Sequence, residues 1–431
     1  MTDTLNEESL ATDWVNQLIT SVIRRAGSEL ATAERRAGVA PGYLRKALSD
    51  DRNIMLAKLL RICEAASIDP GEVFSEVFGS TTGRLEERFG LERTPEPTVL
   101  KTLRRRLRDD GEQLASPPLA QSWLDELDEL RYNDPTRALA TIEHAVSFLE
   151  REDLPRALGI WASAARLLVR NEEGFMVCRE ALRLARMWKR VHDEADLLRR
   201  LAYLVSSHTG DYAAALEIAG QAALLYAREG VTTKLGQVVV DQAIFLRNQS
   251  MHSEAQRAFE AGLGLVSESD RRHRFAALQG LAVIERLEGR QERALEYVEA
   301  AQALGNMSRF ERGMVSWLEG TLCADVGRWE RADEIFGHAF QVLATISPID
   351  AALSVCDHVQ ALLAATHLDK ARERSATTRQ LLEPLRHNPV ASAALRDLLC
   401  AEDDGLKLTV QLVEAIRRRI EESRRVGTRR Q

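Results

Sequence analysis

The chain has 431 residues and a formal net charge of −7, from 58 basic and 65 acidic side chains. Its hydrophobic fraction of 45% excludes intrinsic disorder, and no apolar run approaches the roughly 18 residues that a membrane-spanning helix needs. The aromatic content of only 5%, together with 25 glycines and 11 prolines, favours long amphipathic helices over strands joined by turns.

Residues 1–80 are predicted to form a small helical domain. The segment WVNQLITSVIRRAG has apolar residues at helical spacing, ELATAERRAG predicts a second short helix, and PGYLRKALSD predicts a third. We expect Pro41 at the first position of this third helix, where its missing N–H would be unpaired in any case. A helix, a Gly-containing turn and a second helix in this order are typical of a helix-turn-helix.

Residues 29–74 resemble the lambda-repressor-like helix-turn-helix domain. AERRAGVA matches its second helix and turn, YLRKAL its recognition helix, and LLRICEAASIDPGEVF its closing helices. The resemblance implies that the recognition helix enters the major groove of double-stranded DNA. Pro41 and Gly42 offer no paired donors and acceptors for reading a base. The predicted DNA-binding residues are Tyr43, Arg45, Lys46, Arg35, Arg36 and Arg52.

The local charge permits DNA binding without requiring it. Residues 24–52 carry seven basic and four acidic side chains, although residues 1–80 as a whole are acidic. Phosphate binding depends on the charge of the contacting surface and not on the total. The alternative is a degenerate helix-turn-helix domain that serves dimerisation or protein contact.

Residues 81–117 are predicted to be a linker with one basic helix. Prolines flank the segment VLKTLRRRLRD on both sides. Its apolar stripe of Leu100, Leu103 and Leu107 is thin, which favours an exposed connector. Its arginines are either solvated or in contact with DNA phosphates.

Residues 118–388 repeat a pattern of small and large side chains. The clearest unit, GTLCADVGRWERADEIFGHAF, begins at Gly320, and weaker units bring the number to about seven. Small residues allow the second helix of a pair to lie close to its neighbours, and Phe259 and Phe336 are expected to fill the gap between successive pairs. The repeated alanine recurs every 38 to 40 residues, at Ala215, Ala255, Ala294, Ala332 and Ala371.

These units resemble the tetratricopeptide repeat, with a period of about 39 residues in place of the usual 34. Gly210, Gly289 and Gly327 are expected to end the first helices of their pairs, because glycine adopts positive φ easily. The resemblance implies a right-handed α-solenoid, since one pair cannot bury its own apolar face. The predicted fold is therefore all-α: a small helix-turn-helix bundle, a solenoid of about seven tetratricopeptide-like pairs, and capping helices with a basic tail at 389–431.

The first helices of the pairs are expected to line the inner surface of the solenoid, which suits an extended peptide or a partner helix. Arg247 and Arg286 occupy equivalent positions and could clamp a carboxylate. The predicted effector-binding residues are Arg200, Gln237, Arg247, Gln279, Arg286 and Trp317. The alternative is that the Arg and Gln side chains are ordinary solvated residues and that Trp317 belongs to the core between repeats.

No pattern of residues predicts catalysis, a cofactor or a metal site. The sequence contains no HExxH, no GxSxG and no GxxxxGKS/T motif. The nine histidines have no Cys, Asp or Glu at metal-ligand spacing, and the five cysteines have no CxxC spacing. The N-terminus does not resemble a signal peptide. We therefore predict a non-enzymatic, cytoplasmic protein with reduced cysteines.

In its domain order the chain resembles the peptide-sensing helix-turn-helix/tetratricopeptide transcriptional regulators. The resemblance implies a DNA-binding regulator that acts as a homodimer and whose solenoid binds a peptide or protein effector, with no membrane partner. The alternative is a non-enzymatic tetratricopeptide adaptor or scaffold whose N-terminal domain serves dimerisation or protein contact.

Overall fold

The computed structural model describes residues 19–49, 62–63, 65–68, 94–109, 121–365 and 367–382. Over these ranges the chain is helical and contains no strand. No described helix is both long enough and apolar enough to cross a bilayer. The predicted DNA-binding residue Arg52 and the predicted capping helices and tail at 389–431 lie outside the described residues.

The N-terminal part begins with helical residues 19–26 and a short 3-10 turn, Gly27–Glu29. Helix α1 is Leu30–Arg36 and helix α2 is Tyr43–Ser49. The expectation that Pro41 begins the third helix is wrong, because α2 begins two residues later. Gly42 has a φ of 83°, which an α-helix does not allow, so Pro41 and Gly42 belong to the turn.

Fifteen further helices follow within the described residues. They are α3 (Thr98–Asp109), α4 (Gln121–Leu130), α5 (Pro135–Ala145), α6 (Leu154–Leu167), α7 (Asn171–Met187), α8 (Val191–Thr209), α9 (Tyr212–Arg228), α10 (Thr232–Asn248), α11 (His252–Leu265), α12 (Arg271–Leu287), α13 (Gln291–Ala303), α14 (Arg309–Asp325), α15 (Trp329–Leu343), α16 (Pro348–Ala364) and α17 (Leu368–Leu382).

From α4 to α17 each helix packs on the next in chain order, and α3 packs on α5. The even-numbered helices also pack on one another, α4 on α6, α6 on α8 and so on to α16. This second set of contacts forms one continuous row of helices. The arrangement is that of an α-solenoid, in which each unit buries the apolar face of its neighbour.

The repeated alanines and phenylalanines lie where the helices approach most closely. All five predicted alanines are buried. The ring of Phe259 on α11 lies against Gly280 of α12, and a Cβ on that glycine would lie only 2.2 Å from the ring. Phe336 on α15 lies over Gly320 and stacks on His358 of α16, with 4.9 Å between ring centroids. The expected alternation of small and large residues is confirmed.

Left-handed residues end many of the helices. Gly210, Gly289 and Gly327 have φ angles of 68°, 77° and 76°, as expected. At other helix ends Val169 and Lys189 take the same conformation, with φ of 62° and 54°. The turn geometry therefore recurs even where the sequence supplies no glycine.

Helix α3 is part of the solenoid core, which corrects the expectation of an exposed connector. Val99, Leu100 and Leu103 are buried in the same apolar cluster as α5. Arg106 also donates a hydrogen bond of 2.7 Å from Nη1 to the carbonyl oxygen of Val146. Three apolar residues on one face are enough here, because α3 covers the first helices of the stack.

The N-terminal helices share their apolar core with one residue of the solenoid. Ile19, Val22, Leu30 and Leu44 form a buried cluster that includes Leu224 of α9. The N-terminal part is therefore in direct apolar contact with α9.

The solenoid also contacts itself across its inner surface. The backbone N–H of Arg309, at the start of α14, donates to Oδ1 of Asn133 at 2.9 Å. Asn133 lies in the turn between α4 and α5, 176 residues away in the chain. Contacts of this range show that the helix row curves until its beginning reaches α14.

Candidate functional sites

One carboxylate fixes the geometry of α1 and α2. Glu34 is buried on α1, and its Oε2 and Oε1 accept hydrogen bonds from the backbone N–H groups of Gly42, at 2.5 Å, and Leu44, at 2.9 Å. These two donors stand at the beginning of α2, where backbone N–H groups have no partner within the helix. A negative charge is also favourable at a helix N-terminus. Glu34 therefore caps α2 from α1 and sets the turn between them.

The predicted DNA-binding residues of this part lie on its surface. Arg45 and Lys46 are exposed on α2, and Tyr43 is half-buried at its start. Arg35 and Arg36 are exposed at the end of α1. The turn between α1 and α2 is short, so the basic side chains at the end of α1 and those on α2 are separated by few residues. Sequence reasoning missed Glu34, because the sequence does not distinguish a buried glutamate in a basic stretch from a solvent-exposed one.

On the inner surface of the solenoid, Asp128 of α4 is shared by three guanidinium groups. Its carboxylate accepts hydrogen bonds from Arg200 of α8 at 3.0 Å and from Arg272 of α12 at 3.1 Å, and it forms a 3.0 Å ion pair with Arg131. The arginines hold the pKa of Asp128 well below its usual range, although burial alone would raise it. Arg200, a predicted effector-binding residue, is thus part of an internal ion-pair network, and its Nη1 also donates to Ser163.

A second network connects α8, α10 and α12. Arg199 donates to Asp241 and to Oε1 of Gln237, both at 2.7 Å, and Gln237 donates to Asp270 at 2.6 Å. Arg199 also donates to Nε2 of His273, so the proton of this imidazole lies on Nδ1, which donates to Asp270 at 2.9 Å. Both the oxygen and the nitrogen of the side-chain amide of the predicted residue Gln237 are therefore hydrogen-bonded.

Arg247 and Arg286, the predicted clamp, lie in different surroundings. Arg286 forms a two-fold hydrogen-bonded ion pair with Asp325, at 2.6 and 3.1 Å. Within the described ranges, Arg247 donates to amide oxygens alone, those of Asn248 and Gln279. The predicted Gln279 thus serves as an acceptor for Arg247. Asp325 occupies the position equivalent to the two arginines one repeat later, so the difference between them depends on which residue the following repeat supplies.

Trp317 is half-buried and packs against the cluster of Ala332 and Phe336. Its Nε1–H donates to Asp357 of α16 at 2.7 Å. The structure thus favours the alternative interpretation, in which Trp317 belongs to the contact between repeats. Val240 of α10 is likewise fully buried and lies against Gly262.

Tyr132 and Tyr203 are aromatic residues of the inner surface that sequence reasoning missed. The guanidinium carbons of Arg131 and Arg272 lie 4.3 and 4.4 Å from the centroid of the Tyr132 ring. That of Arg166 lies 5.3 Å from the centroid of Tyr203, whose hydroxyl donates to Asp241 at 2.8 Å. No repeat pattern could have found Tyr132, because it lies in a turn whose partners come from helices far along the chain.

Among the described residues, no group of three or more His, Cys, Asp or Glu side chains could hold a metal ion. No protein-family model matches the chain, and no curated protein matches its sequence.

Proposed function

We propose that the chain is a DNA-binding transcriptional regulator in which α1, the turn and α2 form a helix-turn-helix and the α-solenoid binds an effector. The observation that carries this proposal is the double cap of α2 by Glu34. It joins two helices through a short turn at a fixed angle, and a recognition helix needs such a fixed angle to enter the major groove.

In this proposal α2 lies in the major groove with its N-terminal residues at the base edges. Arg45 is the residue with paired donors, suited to the O6 and N7 acceptors of guanine. Lys46, Arg35 and Arg36 contact phosphates, which supply affinity but little sequence preference. Pro41 and Gly42 lie in the turn before α2, so base reading falls to residues from Tyr43 onwards.

The solenoid in this proposal is right-handed and consists of about seven tetratricopeptide-like pairs, α4–α5 through α16–α17. It serves as a cytoplasmic, non-catalytic sensor for a peptide or protein effector. The protein acts as a homodimer, as the resemblance to peptide-sensing regulators implies, and binds paired half-sites. Apolar contact between Leu224 and the N-terminal helices offers a direct route by which the solenoid can influence the DNA-binding part.

A fluorescence-anisotropy titration of labelled random duplex DNA with the full chain, at low and at moderate salt, tests the proposal. We expect binding at low salt that weakens steeply with salt, because phosphate contacts release counterions. Arg45→Ala combined with Lys46→Ala should weaken binding about tenfold or more and lower the salt slope by about 1 to 2.

The matched control is Arg257→Ala combined with Arg331→Ala. It removes the same charge from exposed positions on α11 and α15, and we expect it to leave the affinity nearly unchanged. Absence of binding at low salt would contradict the proposal and favour the adaptor. Equal loss in both double variants would show that charge alone, and not α2, governs binding.

A further inference from the structure

Three guanidinium groups of the inner surface converge on one carboxylate, that of Asp128. Arg131, Arg200 and Arg272 all form ion pairs with Asp128; Arg272 also pairs with Glu129, and Arg200 is attracted to the more distant Asp196. The three cations outnumber the two carboxylates with which they form ion pairs, and this happens in a partly desolvated place, where charges interact strongly.

The pKa shifts within this group run in both directions: those of Arg200 and Arg272 are raised by their carboxylates, whereas two other groups respond to the neighbouring arginines. The pKa of the Arg131 guanidinium is lowered to about 10, because burial and the neighbouring arginines outweigh its attraction to Asp128. The pKa of the Tyr132 hydroxyl is also lowered. Burial raises this pKa, but the nearby charges of Arg131, Arg272 and Arg166 lower it by more than burial raises it. A buried phenol normally shifts the other way. At the Tyr132 hydroxyl the arginine charges therefore outweigh both burial and the charge of Asp128.

Among the residues that the structure describes, no carboxylate pairs with Arg166 or Arg247. Arg166 stands over the ring of Tyr203, and Arg247 donates to the amide oxygens of Asn248 and Gln279. By contrast, Arg286 at the position equivalent to Arg247 is paired with Asp325. Burial lowers the pKa of Arg247, whereas the carboxylates around Arg199 raise its pKa. A desolvated cation without a counter-charge is costly, and an anionic ligand would remove that cost.

We propose that the inner surface between Tyr132 and Tyr203 binds an acidic peptide, and that Arg166 and Arg247 each bind one of its carboxylates. This inference rests on the proposed sensor role of the solenoid and names the class of its effector. The guanidinium charges are complementary to an acidic chain, and the tyrosine rings offer apolar faces to its backbone and side-chain stems.

The spacing of the two arginines favours a peptide over a single phosphate. Arg166 is on α6 and Arg247 on α10, with α8 between them. The axes of packed helices are about 8–10 Å apart. The axes of α6 and α10 are therefore separated by two such helix-to-helix distances. Alternate side chains of an extended peptide on one face are about 7 Å apart. Two or more carboxylates along such a chain can reach both guanidiniums, whereas one phosphate group is too compact.

The test is a titration of the full chain with a fluorescein-labelled hexaglutamate peptide. Labelled hexaglutamine is the comparison ligand, and inorganic phosphate is the competitor. We expect hexaglutamate to bind and hexaglutamine not to bind. Arg166→Gln combined with Arg247→Gln should weaken binding about 30-fold or more, as is typical when charged hydrogen-bonded pairs are broken. The control Arg286→Gln, at the paired position, should change it by less than about threefold.

A second variant separates a binding role from a structural one. Arg247→Met keeps the length of the side chain and removes the charge. We expect it to raise the urea midpoint of the peptide-free protein while it weakens hexaglutamate binding, because the uncompensated charge is then gone. A structural arginine would instead lower the midpoint when replaced.

Three outcomes would overturn the proposal. They are no binding of hexaglutamate at millimolar concentration, equal weakening by Arg286→Gln, and complete displacement of the peptide by inorganic phosphate, which would indicate a simple anion site. None of these depends on DNA. A failed DNA titration with intact hexaglutamate binding would contradict the regulator and leave the peptide site standing.

Discussion

The backbone N–H of Phe310 donates a hydrogen bond of 3.1 Å to the carbonyl oxygen of Tyr132. The two rings also lie beside each other, with 6.0 Å between their centroids. Tyr132 follows α4, and Phe310 is in the first turn of α14, so this pair joins the beginning of the solenoid to one of its later helices. The contact brings Tyr132 over the inner surface, where its ring meets Arg272 of α12.

The first prediction concerns this contact between α4 and α14. Asn133→Ala removes the acceptor of the Arg309 N–H, and we expect a loss of about 1 kcal/mol in the free energy of unfolding, typical of one hydrogen bond. Urea denaturation followed by circular dichroism measures it. Asn133→Asp keeps the oxygen and serves as the control. If both variants unfold like the original chain, the contact does not stabilise the solenoid.

The second prediction compares two helical glycines. Gly280→Ala forces a Cβ to within 2.2 Å of the Phe259 ring, and overpacking of this kind costs about 1–3 kcal/mol. Gly337→Ala meets nothing within 4 Å, and alanine is favoured over glycine in a helix by up to about 1 kcal/mol. The melting temperatures should therefore shift in opposite directions. A stabilising Gly280→Ala would show that α11 and α12 are not held at this close distance.

A third prediction tests the cap of α2. Glu34→Ala leaves the N–H groups of Gly42 and Leu44 without their acceptor, which should destabilise the α1–α2 unit by about 1–3 kcal/mol. We expect weaker binding to duplex DNA while the main melting transition of the solenoid stays unchanged. Glu29→Ala removes an exposed acid from the same part of the chain and is the matched control. Wild-type DNA affinity in Glu34→Ala would contradict the positioning role.

The fourth prediction is a pH dependence of stability that comes from His358. This imidazole is buried, stacks on Phe336 and donates from Nε2 to Asp333 at 2.8 Å, and burial lowers its pKa to about 4. Its pKa in the unfolded chain is about 6.5. Because the unfolded state takes up the proton first, this contribution is complete above about pH 6.5 and is lost as the pH falls towards 4.

The expected loss from His358 is up to about 3 kcal/mol at the acid end of this window. His208, whose pKa burial also lowers to about 4, acts in the same direction. Denaturation curves between pH 4 and 7 for the original chain and for His358→Asn measure the contribution. The variant should lose less stability on acidification. Identical slopes for the two proteins would rule out a neutral, buried His358.

The repeat register was accessible from the sequence, but the state of each inner-surface residue was not. Arg247 and Arg286 are equivalent by register, yet only Arg286 has a carboxylate opposite it. Trp317 has the appearance of a ligand-binding residue in the sequence but donates to Asp357 in the next repeat. These differences depend on side chains of neighbouring helices, and a pattern within one helix contains no information about them.

The sequence by itself determined the helical character of the chain and the places where its helices meet. Few glycines and prolines, a regular alanine spacing and large residues at fixed offsets are local properties, and local backbone preferences and close packing act on them directly. Only the tertiary structure decided that the apolar face of α3 is buried, that Glu34 caps α2, and that Asp128 is shared by three arginines. The reason is that curvature accumulates over many helices, so that residues more than 100 positions apart become neighbours without any signal in their own segments.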